Sequence, residues 1–582
     1  MADNDIILLK NILEQKKKQV ANSLADDDFF EIFTFEQILK NYELSYEEFI
    51  SGKIGGGDDG GIDGFFAFVN EELLDEDADL STFKKNPTIV LFLIQAKRSP
   101  SFSEIAVERA ITTVEEIFDL TKDMSVLRSI YNANLIDKAE MFRKAYLELA
   151  ANHPELQVNY LFASKGDTDN IHPKVRHKAE TLNDIISKKF AGASAINGFM
   201  GARELLEMTR LEKSYTLQLR FLENYISRGA DNYVILSTLK DYYDFVIDKD
   251  DKLRRYIFES NVRDYQGEVE VNRDIQRTLE SNDNLDFWWL NNGITILASK
   301  ASIVGKTITL DDVQVVNGLQ TTTTIYNHLK GKNTKDENRS ILIRIIVTSD
   351  PETRDRIIKA TNFQTAIPPA SLRATDRIHR DIEDYFLSHN WFYERRKNYY
   401  KNLGKQVDKI ISIPYLAQAV MAVVLCEPHN ARSKPSSLIK RDVDYKSVFD
   451  NSFKLGMYLF CAKIIKTIDM FIRSYANDYS VHDKSNLKYH LAMLLMFKIL
   501  KKTKYGFKDI ESLESFELDA TFDILNQALS ELIQIAQKYA TSQGNQPINT
   551  IAKSKAFVTF LNSEYNSVLN QVEINNILTE GK

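Results

Sequence analysis

At 582 residues, 43% hydrophobic and 27% charged, the chain can bury large cores and should divide into roughly three or four domains of ordinary globular composition. A net charge of −8 excludes a protein basic throughout, so any nucleic-acid contact must come from local Lys/Arg patches. Two cysteines, Cys426 and Cys461, sit in apolar stretches and read as small core residues.

The N-terminus is acidic and lacks a basic segment followed by an apolar one, so no signal peptide is expected. Residues 4–50 carry two helical patterns separated by Ala-Asp-Asp-Asp (25–28), an acidic helix start before Phe29, Phe30, Phe33 and Ile38. A glycine-rich turn, Gly-Gly-Gly-Asp-Asp-Gly-Gly-Ile-Asp-Gly (55–64), leads into a strand from Ile62 to Asn70. The acidic connection from Asn70 to Pro87 reads as a solvated loop. Ile89 to Lys97 is apolar on both faces until its end, as a central strand should be. Period-2 alternation puts Gln95 and Lys97 on the face of Ile89, Leu91 and Leu93.

A lysine leaving a buried strand needs an anion beside it, and Asp63 is the natural candidate. An aspartate, an amide and a lysine converging in this way suit phosphodiester hydrolysis: oxygens hold Mg²⁺, and the lysine orients water or stabilises developing charge. The same spacing would also serve a structural Asp–Lys pair beside an ordinary loop. After Arg98, a helix over Ser103–Thr121, a strand over Gln157–Ser164 and a helix over Pro173–Lys188 complete an αβββαβ-like module, with His172 and His177 as surface residues.

Gly-Gly-Ile-Asp-Gly (60–64) followed by Ile-Gln-Ala-Lys-Arg (94–98) resembles the Mrr-type branch of the PD-(D/E)xK nucleases, in which Gln replaces the second acid. The resemblance implies Asp63, Gln95 and Lys97 as the catalytic set, with a helix glutamate upstream, Glu31 first and Glu36 second. It implies Asp63, Gln95 and Glu31 as ligands of Mg²⁺, for which Mn²⁺ can substitute. A neutral amide oxygen is a weaker Mg²⁺ ligand than a carboxylate, so a further acid is needed. Arg98 joins the expected nucleic-acid contacts.

From about residue 200 the pattern changes to α/β units. Asn-Val-Arg (261–263), Asn291-Asn292-Gly293-Ile-Thr, Asn317-Gly-Leu-Gln320-Thr and Asn362-Phe-Gln364 are amide-rich turns beside apolar runs, where an anion-binding helix start or a polar ligand pocket can form. Turn capping and a buried amide network are the plainer roles for such residues. In this order the motifs resemble the abortive-infection phage-resistance (AIPR) family over roughly 220 to 450. The Asn-Gly-x-Gln-Thr turn is also similar to the Asp-Gly-Gln-Gln-Arg turn of ParB-like domains, but Asn317 and Thr321 replace the acid and the arginine. Residues 391–409 interleave aromatics with Arg395, Arg396, Lys397 and Lys401, as a single-strand-binding surface or a helix with an aromatic inner face would. Arg432, Lys434, Lys440 and Arg441 form a second basic segment. From Tyr445 onward helical periodicity dominates.

The expected architecture is an α/β multidomain chain. It comprises a restriction-endonuclease-like core (1–200), an α/β AIPR regulatory or sensing region (201–410) and an all-helical C-terminal domain (411–582). The expected function is antiphage defence by Mg²⁺-dependent cleavage of DNA. Alternatives are a nucleic-acid or nucleotide sensor with a degenerate nuclease fold, and an NTP-dependent restriction factor. The partners expected are DNA, a nucleotide ligand, a phage-derived trigger and a second copy of the chain. The longest apolar run, Ile413 to Cys426, is too short to span a bilayer, and the expected location is the cytoplasm.

Overall fold

The acidic start at residues 25–28 does open a helix. In the computed structural model, which describes residues 2–580 except 43, 84–85, 191, 211–215, 228, 230–231, 250, 259–269, 281–284, 333–336, 363–372, 396, 436, 451, 475–478 and 514–521, three helices precede the glycine turn. They are α1 (Ala2–Val20), α2 (Asp26–Ile38) and α3 (Tyr46–Gly52). Asp26, Asp27 and Asp28 occupy the first turn of α2, where negative charge meets free backbone N–H groups. A reciprocal capping box between Ser45 and Glu48 closes the start of α3.

Strands β1 (Gly64–Val69), β2 (Glu72–Leu73), β3 (Thr88–Lys97), β4 (Glu155–Ser164) and β5 (Ser194–Met200) form one sheet in the order β2-β1-β3-β4-β5. β1 runs antiparallel to β3, whereas β3, β4 and β5 are parallel. Parallel neighbours require crossovers. Helices α4 (Glu104–Ile117), α5 (Met124–Leu127) and α6 (Ala133–Leu149) supply the first, and α7 (Pro173–Lys189) supplies the second. On one face Phe65, Leu91 and Leu93 pack with Val107, Phe142 and Leu182. On the other, Phe66, Phe68 and Ile94 pack with Phe30, Phe33, Phe35 and Leu205, the last from α8 (Ala202–Arg210). Two covered faces explain why β1 is apolar and buried throughout. The expected strands and helices form with small changes at their ends, while α6 is an insertion that the sequence reading did not contain.

The acidic connection after Asn70 departs from the solvated loop expected for it. Arg432 reaches Glu76 through both nitrogens, at 2.9 and 3.0 Å, Lys553 lies 2.8 Å from Glu76, and the Ser437 amide donates to Asp77 at 2.8 Å. This loop is acidic because it docks on cations of the helical region. Those cations hold the Glu76 carboxyl below its usual range despite its burial.

A second five-stranded sheet has the order β12-β9-β13-β8-β7. Its strands are β7 (Ile226–Ser227), β8 (Asn232–Thr238), β9 (Ile294–Ala298), β12 (Gln314–Asn317) and β13 (Ser340–Val347); β6 (Leu217–Arg220), β10 (Lys300–Val304) and β11 (Thr307–Asp311) form a small separate sheet. Leu239, Tyr242, Ile325 and Leu329, from α9 (Leu239–Val246) and α11 (Leu319–Leu329), pack on Ile294, Ile296, Ile341 and Ile343; α10 is Glu270–Glu280. α12 (Pro351–Asn362) places Ile358 against Leu297 and Val316 on the opposite face.

The remaining core is helical. Ile413–Val423, Leu455–Ser474, Lys488–Leu500 and Phe522–Ser542 share one buried cluster, to which Ile382, Phe386 and Tyr393 also belong. Cys461 is buried there as expected, and Cys426 is half-buried at its edge. Among the described residues no helix is long and apolar enough to cross a membrane.

Candidate active site

The glycine turn is shaped by its neighbour α4. Gly61 has φ +78°, and a Cβ there would fall 2.6 Å from the Ala106 carbonyl oxygen. The turn therefore lies flat on the helix and delivers Asp63 to the end of β1. The Asp63 amide donates to the Ile94 oxygen at 2.8 Å and its carbonyl accepts from the Ile54 amide at 2.9 Å, which fixes the backbone. Because Gly64 pairs with Ile94, Asp63 faces Gln95 on the adjoining strand. Gln95 Nε2 and, at 2.8 Å, the Ala96 amide donate to Asp63 Oδ2, while Lys97 Nζ lies 3.2 Å from Oδ1. The three residues singled out at the strand ends are thus joined in one cluster.

Glu31 enters from α2 and pairs with Lys53 Nζ at 2.9 Å; Lys53 also pairs with Asp28. Lys53, absent from the sequence reading, forms a backbone bridge with Gly64 beside Asp63. Its only sequence signal was its place just before the glycine turn. Burial raises the Asp63 carboxyl, against the pull of Lys97 and the Ala96 amide. Burial also raises Glu31; Lys53 opposes this, and the Asp63 charge adds to it. Glu31 therefore feels the Asp63 charge, and Asp63 that of Asp59, in a partly desolvated space.

One site oxygen, Gln95 Oε1, is buried without a hydrogen-bond donor among the described residues, whereas Glu31 Oε2 is buried with the Lys53 ammonium 2.9 Å away. The buried Tyr160 hydroxyl on β4 is likewise unpartnered, and burial together with the Asp63 charge raises its pKa. Buried oxygens without donors are uncommon and costly. Two carboxylates and an amide oxygen are the hard donors that Mg²⁺ takes, so these residues fit a divalent cation. Among the described residues no three His, Cys, Asp or Glu side chains gather as a metal site.

The expected nucleic-acid residues are mostly engaged inside the protein. Arg98 pairs with Asp26 at 2.9 Å and Asp27 at 3.2 Å at the site's edge. Arg395 is buried against Glu383 at 2.6 Å and Asp355 at 3.3 Å. Lys397 pairs with Glu48 and Lys401 with Glu36, at 2.7 and 2.6 Å. Residues 391–409 are thus neither an open basic face nor one long helix; they form short elements that dock on α2 and α3, with Arg396 outside the described residues. In the second basic segment, Arg432 is used by Glu76. Glu36, the second choice for the site glutamate, is consumed by Lys401.

The amide turns of the second sheet also converge, because β12 lies antiparallel to β9 and pairs Asn317 with Thr295. Asn291 Oδ1 accepts from the Gly293 amide at 3.1 Å, and its Nδ2 donates to Thr321 Oγ1 at 3.4 Å. Asn317 Nδ2 donates to the Thr361 carbonyl at 2.7 Å, which ties in the end of α12. Asn292 is exposed, and its carbonyl accepts from Arg344 at 3.4 Å. Gln320 lies in the first turn of α11. The backbone of Asn362 ends α12, while its side chain, Gln364 and the Asn-Val-Arg segment fall outside the described residues.

The geometry defines a mixed α/β protein with an acid–amide–lysine cluster at the end of one five-stranded sheet, a second sheet closed by amide turns, and a helical region docked on the first. Residues 258–544 match the family model described as AIPR protein, which supports the AIPR identification over that stretch. The match runs past residue 450, where the sequence resemblance had been placed, and takes in much of the helical core. No curated protein and no solved structure matches the chain.

Proposed function

We propose that the chain is an antiphage defence protein of the abortive-infection type, whose N-terminal sheet is a metal-dependent nuclease of the PD-(D/E)xK class acting on DNA. The observation that carries this reading is the cluster of Asp63, Gln95 and Lys97 with Glu31 beside it, in which the buried Gln95 oxygen has no donor among the described residues. The match to the AIPR family supports the defence role. The mixed sheet, with its cluster at the end of the central strand, supports the restriction-endonuclease-like fold.

Asp63, Glu31 and the Gln95 oxygen would hold Mg²⁺, which when bound supplies charge neutralisation at the phosphate and a more acidic water. Lys97 stands at the exposed lip of the cluster, free to turn its ammonium toward an attacking water or a phosphoryl oxygen. The Asp63 hydrogen bonds from Ala96 and Gln95 hold the carboxylate in one orientation.

A second reading, binding without cleavage, is favoured by two observations: Lys53 already neutralises Glu31, and an amide stands where a second strand acid would be. One experiment separates the two. Purified full-length protein is incubated with plasmid, linear DNA and RNA, with Mg²⁺, Mn²⁺ or EDTA, and with or without ATP. Metal-dependent cleavage that Asp63→Ala abolishes supports the nuclease. Binding without cleavage in every metal leaves the second reading, and cleavage only with ATP transfers the activity to nucleotide-driven restriction.

A further inference from the structure

We infer that Lys165 is a substrate-positioning residue at the mouth of this site, contacting a backbone phosphate of the nucleic acid; the inference rests on the nuclease reading. β3 and β4 are parallel and pair Lys97 with Ser164, so both strands end at the same level. The next residues, Arg98 and Lys165, emerge side by side beyond the sheet. The Lys165 amide donates to the Ser99 carbonyl at 3.2 Å, and the following Gly166 carbonyl accepts from the Ala202 amide at 2.8 Å. A Cβ on Gly166 would fall 2.2 Å from the Pro100 oxygen, so the backbone carrying Lys165 is pinned closely against the neighbouring loop.

What separates Lys165 from the other cations here is its partner. Lys97 has Asp63, Lys53 has Glu31 and Asp28, Arg98 has Asp26 and Asp27, and Lys17 has Asp26. The Lys165 ammonium instead lies 5.5 Å from the centroid of the Phe30 ring, next in sequence to Glu31. No carboxylate among the described residues forms an ion pair with it at 4.0 Å or less. A half-buried ammonium without an anion is an unfavourable arrangement that a ligand anion relieves. Burial and the nearby Arg98 charge lower its pKa, against the more distant pull of Asp26 and Asp27. The carboxylates of α2 are engaged by Lys17, Lys53 and Arg98, so on this rim Lys165 is an ammonium that an approaching polyanion meets without a carboxylate already bound to it. A lysine on such a rim suits a phosphate, which it meets as a point charge without bidentate geometry.

The test is fluorescence anisotropy of full-length protein with labelled 20-nucleotide single- and double-stranded DNA, in Ca²⁺, over a salt series. Lys165→Met and Lys165→Gln should weaken binding by about tenfold and lower the slope of log K against log salt by about 0.7 to 0.9, one phosphate contact. Lys165→Arg should keep the wild-type slope. In cleavage with Mg²⁺ the Met and Gln variants should raise KM more than they lower kcat, with Mn²⁺ binding and Tm near wild type. Wild-type affinity and slope in both variants would overturn the inference while leaving the nuclease reading in place. So would equal weakening in the Arg variant, since that marks a packing role. Wild-type protein that neither binds nor cuts overturns both.

Discussion

The Asp63 end of the first sheet and the Asn317 end of the second are built alike and end differently. Each is a strand terminus beside a glycine with positive φ whose missing Cβ makes room for a neighbour: Ala106 for Gly61, and Ile294, which a Cβ on Gly318 would meet at 2.3 Å. Each gathers polar side chains from segments far apart in sequence. At the first, burial raises the carboxyls of Asp63 and Glu31, the Asp63 charge adds to the rise at Glu31, and the buried Gln95 oxygen has no donor among the described residues. At the second, Asn291 and Asn317 are absorbed by the backbone amides, carbonyls and hydroxyls of their own turns. The second end is braced largely by hydrogen bonds within its own turns, whereas the first holds desolvated carboxylates beside an amide and a lysine.

The sharpest test of that contrast is Asp63→Ala, together with Lys97→Ala. Each should lower cleavage at least about a hundredfold, roughly 3 kcal/mol in the transition state, with nucleic-acid binding largely kept. Activity unchanged in both would remove the distinction between the two ends.

Gly318→Ala should act on the other side of the comparison, through stability and not chemistry. At φ +109° a side chain is strained and its Cβ meets Ile294, so the cost is of order 1–3 kcal/mol, read from chemical denaturation. Asn317→Ala with Gln320→Ala separates fold from pocket at the same place. If the turns only brace the sheet, the unfolding free energy falls by the roughly 1–2 kcal/mol of a lost half-buried hydrogen bond, Tm falls with it, and ligand binding and defence follow the folded fraction. Near-normal Tm with lost nucleotide binding would make the second end a ligand site after all.

Between the two lies the seam where residues 394–401 dock on α2 and α3, and its pH dependence can be predicted. Burial pushes the Glu394 carboxyl up to about 7, against backbone amides of Asn398 and Tyr400 that lower it. The folded protein then binds more protons than the unfolded chain between the ordinary glutamate range and pH 7, so this group's contribution to stability falls as pH rises through that window. Glu394→Gln should remove the fall and be more stable than wild type above pH 7 by about 2 kcal/mol, seen in Tm against pH. The smallest expected change is Gln95→Glu, which restores a commoner metal ligand and should retain or modestly raise Mg²⁺-dependent activity. Complete inactivity would give the amide a role of its own.

Much of the first sheet was legible because its signals are local. Runs of apolar residues, a strand turning polar at Gln95 and Lys97, and a glycine turn before Asp63 are properties of neighbours in sequence. Lys53 and Tyr160 were not legible, since each looks ordinary in sequence and matters only by lying near Asp63 or Glu31 across the fold. The basic stretch at 391–409 misled for the converse reason. Its cations suit phosphates, but the acids that take them, Glu36, Glu48, Asp355 and Glu383, are on other elements.

By itself the sequence determined the periodicities that make the helices and strands, the face shared by Gln95 and Lys97, and the order of the amide turns. Those follow from backbone geometry, which repeats every two or 3.6 residues and needs no knowledge of the rest of the chain. Tertiary structure alone decided which charges remain unspent. An ion pair such as Arg432 with Glu76 joins residues hundreds of positions apart, and the desolvation that raises Asp63 depends on helices packed over both faces of its sheet.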